Sequence, residues 1–345
     1  MERALNGMYE EELRRWAESL GMSAFRGSQL FHFFHVERGH DLHQATSLPR
    51  SLRERSGALP IRTAEVAMRY QSRDGSAKYL LRLQDGAHIE TVFMPYDDRT
   101  TLCVSSQVGC KMGCTFCAST KAPFVRNLQA EEILEQVYAV EREEGVPVDR
   151  IVLMGIGEPM DNYDEVLRFI HLVTDPEGKN LGQRHITLST SGIVPGIERL
   201  SREGLQINLA ISLHATSDER RVRTMPVARR YRIEEILRAV DHFFEQTGRR
   251  VSFEYALIRG ENDRPEDAAW ISSHLRGAGY HVNLIPLNEI REYDGEAADA
   301  RAMKAFSSLL EANGVHVSVR QRRGDDISAA CGQLRVLYEE VGRDA

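Results

Sequence analysis

Hydrophobic and polar positions change period along this chain, and the changes mark three stretches. Over residues 1–60 apolar positions recur at helical spacing, in Tyr9–Leu20 and again in Phe25–Phe34. Leu48-Pro49 followed by Arg50-Ser-Leu-Arg-Glu-Arg55 opens a third helix, with proline near its start. Residues 61–100 switch to strand character. Lys78–Leu83 and His88–Met94 flank Asp85-Gly86, a strong hairpin signal. From residue 101 onward strands and helices alternate. Strands are expected at Thr101–Ser106, Arg150–Met154, His185–Ser189, Gln206–Ser212, Arg250–Leu257, His281–Ile285 and Val315–Val319. Helices are expected at Leu128–Glu141, Asp164–Leu172, Val194–Arg202, Ile233–Thr247, Pro265–Leu275 and Ala297–Asn313.

Strand–helix units with crossovers of this size predict an α/β fold with a parallel sheet covered by helices. A barrel, either partial or eight-stranded, satisfies the pattern. In both forms the active site lies at the C-terminal ends of the strands, so the residues just past each strand matter most. The expected organisation is a helical accessory module over 1–60, read either as a packing appendage or as an RNA-docking surface, a β-hairpin extension over 61–100 and a barrel over 101–345 that ends in a cysteine-bearing loop.

Composition narrows the function. A chain of 345 residues can bury a large core. No apolar stretch of about 18 residues occurs, and MERALNGMYEEELRRW is acidic where a secretory signal would be apolar, so a cytoplasmic protein without a membrane span is expected. The net charge of −7 argues against a general nucleic-acid coat but leaves room for a local basic surface. Five cysteines, three of them clustered, do not make a disulfide scaffold.

Those three stand in Cys110-Lys-Met-Gly-Cys114-Thr-Phe-Cys117. Three thiolates so spaced can hold three corners of a cubane iron–sulfur cluster and leave the fourth iron open. A structural zinc site is the rival reading, although it wants four ligands and the remaining Cys103 and Cys331 are single. Buried thiols packed as small hydrophobes are the bland alternative. Past the second barrel strand comes Gly155-Ile-Gly157-Glu158-Pro159, where glycines permit close backbone approach and Glu158 can accept from an ammonium. Ser189, Ser212 with Leu213 and His214, and Asn288 follow later strands; each alone reads equally as a cap or turn. Cys103 reads as a core thiol or a reactive one. Cys331 sits in a polar, turn-like loop.

Cys-x3-Cys-x2-Cys with Phe116 before its last cysteine resembles the radical S-adenosylmethionine enzymes. The likeness narrows to the RlmN/Cfr family of RNA adenine methyltransferases. It is carried by Phe25-Arg26 with Gln29, Glu90 in His-Ile-Glu-Thr-Val, Cys103-Val-Ser-Ser-Gln-Val-Gly-Cys110 and Gly157-Glu-Pro159. Leu188-Ser-Thr-Ser-Gly192, Ile211-Ser-Leu-His214, Asn283-Leu-Ile-Pro286 and Arg323-Gly-Asp-Asp with Ala330-Cys-Gly-Gln continue it over nearly the whole length. Pro159 is similar to the C2-methylating branch, since the C8 branch has Gly-Glu-Ala there. Glu-Ile-Arg-Glu-Tyr after Asn288 departs from the family's usual Asn-Pro loop.

The resemblance implies a partial (β/α)6 barrel, one [4Fe–4S] cluster held by Cys110, Cys114 and Cys117, and S-adenosylmethionine bound by Gly157, Glu158, Ser189, Ser212, Leu213, His214 and Asn288. It implies methylation of adenine C2 in 23S rRNA, before or during subunit assembly, and of adenine 37 in some tRNAs. It also implies a one-electron donor such as flavodoxin, and a monomer is expected. In the family's route Cys331 is methylated, a deoxyadenosyl radical activates that methyl for addition to C2, and Glu90 removes the C2 proton. Cys103 then resolves the adduct as a disulfide. C8 methylation of the same adenine, a radical enzyme acting on another class of substrate, and a non-catalytic iron–sulfur or zinc RNA-binding protein are the alternatives.

RNA also needs a positive surface. Arg220, Arg221, Arg223, Arg229, Arg230 and Arg232 fall in one acid-free run after the strand ending at Ser212, a candidate phosphate-binding face or simply a solvated one. Arg320, Arg322 and Arg323 are candidates to extend it.

Overall fold

The computed structural model describes residues 3–54 and 59–335. The N-terminal stretch forms α1 (Glu10–Ser19), α2 (Phe25–His35) and the short α3 (Arg50–Arg53); Arg55, the expected end of the third helix, lies outside the described residues. Leu13, Leu30, Phe31, Phe33 and Phe34 bury the apolar faces of α1 and α2. Their backbones cross at Gly27, where a Cβ would stand 2.3 Å from Arg14 N. Ion pairs of Arg3 with Glu165 (2.7 Å) and Arg168 with Glu12 (2.7 Å) tie this stretch to the barrel.

An antiparallel meander follows: β1 (Ala64–Gln71), β2 (Ala77–Leu83) and β3 (His88–Pro95). Gly86 supplies the positive φ of 83° that the expected turn requires. The meander is continuous with the barrel sheet, since β3 pairs antiparallel with β4 (Thr100–Cys103). The two short strands β5 (Gln107–Val108) and β6 (Arg126–Asn127) pair with each other and bracket the three-cysteine loop.

The parallel series runs from β4 through β7 (Arg150–Leu153), β8 (Ile186–Thr190), β9 (Asn208–Ser212), β10 (Val251–Leu257) and β11 (Tyr280–Pro286) to β12 (Val317–Val319). The main sheet has the linear order β1-β2-β3-β4-β7-β8-β9-β10-β11-β12 among the described residues. Strand β12 does not pair back to β4, so the barrel is partial, as the resemblance implied, and not the eight-stranded alternative.

The covering helices are α4 (Ala130–Glu144), α5 (Tyr163–Thr174), α6 (Val194–Leu200), α7 (Asp218–Thr224), α8 (Ile233–Thr247), α9 (Pro265–His274) and α10 (Ala300–Ala312). Their ends follow local chemistry. Glu132 accepts from Gln129 N at 2.8 Å to start α4, Glu235 accepts from Arg232 N at 2.8 Å to start α8, and Gly145 and Gly248 end them in the left-handed region. Along α8 the buried stripe is Ile233, Ile236, Ala239, Val240 and Phe243. It faces outward-pointing strand residues such as Leu188, Leu209, Ile211 and Phe253, which share one core with it. The alternate strand residues point into the barrel.

Candidate active site

Inward residues at the strand ends, Met154, Ser189, Ser212, Ala256 and Ile285, line a cavity of about 980 Å³. Cys110, Cys114 and Cys117 line it as well. Their loop is shaped by Gly109 and Gly113, both at φ 74°. A Cβ on Gly109 would stand 2.1 Å from Pro123 O, so glycine is required there. Within the loop Cys117 N donates to Cys114 O at 3.3 Å, and Thr120 Oγ1 donates to the carbonyls of Cys114 and Cys117, each at 2.9 Å.

Burial pushes the Cys110 thiol up to about 12. Burial and the neighbouring cysteines push Cys114 higher still, opposed by the Arg221 charge. Three thiolates confined this way need cationic charge beside them to ionise, which metal supplies. No three His, Cys, Asp or Glu side chains among the described residues converge closely enough to hold a single metal ion. An all-sulfur donor set of three suits a cluster whose irons each take one thiolate.

The other wall carries polar groups. Gly157 has φ 113°. Buried Glu158 accepts from Met160 N at 3.0 Å and Ser191 N at 2.7 Å, which fixes its carboxylate at the cavity edge. His214 accepts through Nδ1 from Ala256 N at 2.9 Å, and burial drops its pKa to about 3, so it presents a neutral ring. That ring meets Phe116 edge-on, at 5.0 Å between centroids. Asn288 Nδ2 donates to Cys331 O at 3.0 Å, while its Oδ1 is buried at the cavity without a partner among the described residues. An orphaned polar atom beside an open cavity is what a polar cofactor would satisfy. Ser191 was legible only as part of the Ser-Thr-Ser run.

Two expectations are corrected. Leu213 is not part of the cavity wall: its side chain is fully buried in the main core, its N–H donates to Glu254 O, and its C=O accepts from Arg221 Nε. Arg221 does not face RNA. It is 0% exposed and donates to the carbonyls of Ser191, Ser212 and Leu213 at 2.5, 3.1 and 3.1 Å, clamping two strand-end loops together. Burial lowers its pKa to about 10. Of the rest of the run, Arg220 pairs with buried Asp267 (2.5 Å), whereas Arg223, Arg229, Arg230 and Arg232 are exposed. The run borders the three-cysteine loop, because Thr115 N donates to Thr224 O at 2.9 Å.

Cys103 ends β4 and lines a second cavity, of about 610 Å³, together with Cys331. Cys331 opens onto both cavities. Its loop is stitched to the three-cysteine loop by Ala118 N donating to Gly332 O (2.7 Å) and Ser119 Oγ donating to Leu334 O (2.7 Å). Burial pushes the Cys103 thiol up to about 12, and the Arg320 charge pulls it back down. Arg320 turns inward, with Nη1 3.7 Å from Glu254 Oε2, and so does not extend an outer basic patch. Arg322 and Arg323 are held by main-chain carbonyls, Leu287 O at 2.8 Å and Pro95 O at 3.0 Å.

Glu90 is not in the cavity of the two cysteines. It opens onto a neighbouring one with Lys78, Ser328 and Gln333, and the C-terminal loop lies between. Lys78 Nζ sits 3.0 Å from Glu90 Oε1, and Arg335 N donates to Oε2 at 2.7 Å. Burial raises the Glu90 pKa, and Lys78 opposes it. Lys78 was missed in the sequence. The hairpin register, which pairs Leu80 with Glu90 and Lys78 with Val92, makes it Glu90's diagonal neighbour.

Residues 104–269 match the model of the radical SAM superfamily. The chain is 44% identical over 332 residues to a probable dual-specificity RNA methyltransferase RlmN of Lachnoclostridium phytofermentans, covering 96% of this chain and 93% of that one. It is 47% identical over 336 residues to the corresponding protein of Symbiobacterium thermophilum, covering 96% and 91%. The crystal structure of a radical SAM methyltransferase from Sphaerobacter thermophilus superposes with a TM-score of 0.93 at 43% identity, covering 96% of this chain and 99% of that one.

Proposed function

The chain belongs to the RlmN family of radical S-adenosylmethionine RNA methyltransferases, and we propose on that footing that it methylates C2 of one adenine in 23S rRNA and of adenine 37 in tRNA. The observation that carries the reading is that Cys331 opens both onto the cavity of the three-cysteine loop and onto the cavity of Cys103. One thiol can thus be loaded on one side and discharged on the other.

Adenine C2 lies between two ring nitrogens and is too electron-poor to attack a sulfonium methyl. A [4Fe–4S] cluster held by Cys110, Cys114 and Cys117, with S-adenosylmethionine beside it, supplies the methyl group and the radical chemistry that activates it. The chain's own residues do the rest. Gly157 gives the cofactor close backbone approach, and Glu158, Ser189, Ser212, His214 and Asn288 offer polar contacts at the rim. Cys331 Sγ carries the methyl to C2, and Asn288 holds the Cys331 carbonyl so that this loop keeps its place. Glu90 is the base for the C2 proton, and Lys78, 3.0 Å from its carboxylate, favours its ionised form. Cys103 Sγ, deprotonated, attacks Cys331 Sγ. The bond from that sulfur to the former methyl carbon breaks, and its electron pair passes to the adenine side, which takes up a proton. The disulfide closes as 2-methyladenine is released, while the hydrogen atom and the electron removed in forming the disulfide would be taken up by the radical chemistry of the bound cofactors. An adenine reaching this site must leave its stack, and exposed Arg223, Arg229, Arg230 and Arg232 meet the flanking phosphates.

The RNA substrate and a one-electron donor are the required partners. Flavodoxin fits the donor role, the enzyme acts as a monomer, and ribosomal RNA together with a reducible cluster puts it in the cytoplasm. No helix among the described residues is long and apolar enough to cross a membrane. The test is to supply the anaerobically reconstituted protein with a 23S rRNA fragment and map the methyl by mass spectrometry of the digested RNA. 2-Methyladenosine is expected. 8-Methyladenosine, or unmodified RNA from protein with a full cluster, would overturn the reading.

A further inference from the structure

The barrel has a second mouth. Inward residues at the starts of the strands, including Thr101, Thr187, Asn208, Ser252 and Ser318, line a cavity of about 1570 Å³ open to solvent. Met154, Glu254 and Arg320 line both this cavity and the one bearing the three cysteines, so one layer of side chains separates the two.

The charge at this mouth is opposite to that of the chain. The chain carries −7 overall, yet the cavity is lined by Arg99, Arg150, Arg184, Arg249, Arg250 and Arg320 against the single carboxylate of Glu254. Arg320 faces Glu254, and Arg99 pairs with Asp98 at 2.8 Å. The other four guanidiniums have no acidic partner among the described residues. Arg150, Arg184 and Arg250 donate no side-chain hydrogen bond to another described residue. Among the described residues Arg249 bonds only Asn208, through Nη2, and its buried Nε has no partner. Burial lowers the Arg249 pKa, and the charges of Arg184 and Arg250 lower it further, which marks them as near neighbours repelling one another.

An arginine-rich genome explains many arginines but not this placement. Like charges gathered in a concave site without counter-charge destabilise the fold unless something anionic relieves them. Planar guanidiniums suit phosphoryl oxygens, which they bind in bidentate fashion. The cavity is a recess between strand ends, large enough for a short chain of phosphates.

We infer that this opposite mouth of the barrel is a binding site for a small polyphosphate anion, held by Arg150, Arg184, Arg249 and Arg250. The site is separate from the methylation centre and takes a ligand bearing a di- or triphosphate group.

Arg184 and Arg250 are exposed, so replacing both with serine leaves the core intact, and thermal denaturation checks this. The full-length, cluster-loaded protein is titrated calorimetrically with inorganic triphosphate at low salt and without divalent ions. Wild type is expected to bind at one saturable site per chain. The variant Arg184→Ser/Arg250→Ser is expected to bind at least about tenfold more weakly. Arg14→Ser/Arg15→Ser, with the same charge removed from α1, is expected to match wild type. No saturable binding by wild type, equal affinity in the first variant, or an equal loss in the second overturns the site. A tRNA anticodon arm that loses affinity in the first variant, with no triphosphate binding by wild type, would make this an RNA surface and overturn it too.

Discussion

The five cysteines form two groups that the fold handles differently. Cys110, Cys114 and Cys117 share one loop whose shape is local: a glycine at each bend, a 3.3 Å turn bond, and a threonine hydroxyl on two carbonyls. Cys103 and Cys331 come from opposite ends of the parallel series. They share a cavity because β4 ends beside the loop that follows β12. The first group is a motif and the second is a product of topology. Damage to the first should therefore act through local chemistry, and damage to the second through the order of steps.

The largest expected effect lies in the first group. Replacing Cys110, Cys114 and Cys117 together with alanine should abolish both the cluster's absorbance near ~400 nm and all methylation. A triple variant that keeps the absorbance puts the cluster elsewhere. Next in size is the clamp beside the first group, next to Cys114. Arg221→Met removes the donors from three carbonyls, Ser191 O, Ser212 O and Leu213 O. It should cost on the order of 3 kcal/mol by chemical denaturation. Unchanged stability would mean that water or a rearranged loop replaces it.

Glu90 sharpens the contrast, since it should matter only after Cys331 has been methylated and before Cys103 resolves the adduct. Glu90→Gln should slow C2 methylation by about a hundredfold while Cys331 is still methylated, as intact-protein mass spectrometry would register. A base works deprotonated, and burial raises the Glu90 pKa. Activity should therefore fail on the acid side at a higher pH than an ordinary glutamate would give. Lys78→Met removes the charge that favours the ionised form, so the acid limb should move further toward neutral pH. A limb that stays put would remove Lys78 from the account. The smallest effect belongs to the surface. Arg229→Ser/Arg230→Ser/Arg232→Ser should weaken RNA binding modestly and reduce the slope of affinity against salt by about three, with cofactor cleavage in the absence of RNA unchanged. An unaltered slope returns these arginines to solvent.

What was legible in the sequence follows the same division. Helical stripes such as Ile233–Thr247 and the Asp85-Gly86 hairpin appear where periodicity and turn chemistry put them, because both depend on residues a few positions apart. The three-cysteine loop was legible for the same reason. Position relative to distant strands was not. A run of arginines looks the same whether a member faces solvent, like Arg229, or three backbone carbonyls, like Arg221. Leu213 sits between two cavity-lining residues, yet strand alternation turns it into the core. Glu90 carries a family signature, but only the path of the C-terminal loop gives it a cavity apart from the cysteines. The pairing of Cys103 with Cys331 was available through resemblance and not through spacing.

The most direct measurement is therefore made on the second group. Cys103→Ala protein, reconstituted and given RNA substrate, should still be methylated at Cys331 and still add to the adenine, but it should be unable to release it. It is expected to accumulate as a protein–RNA conjugate joined through Cys331, seen as a shifted band that ribonuclease trims, while Cys331→Ala gives neither conjugate nor product. A Cys103→Ala protein that turns over normally, or free methylated RNA made by Cys331→Ala, would contradict the account.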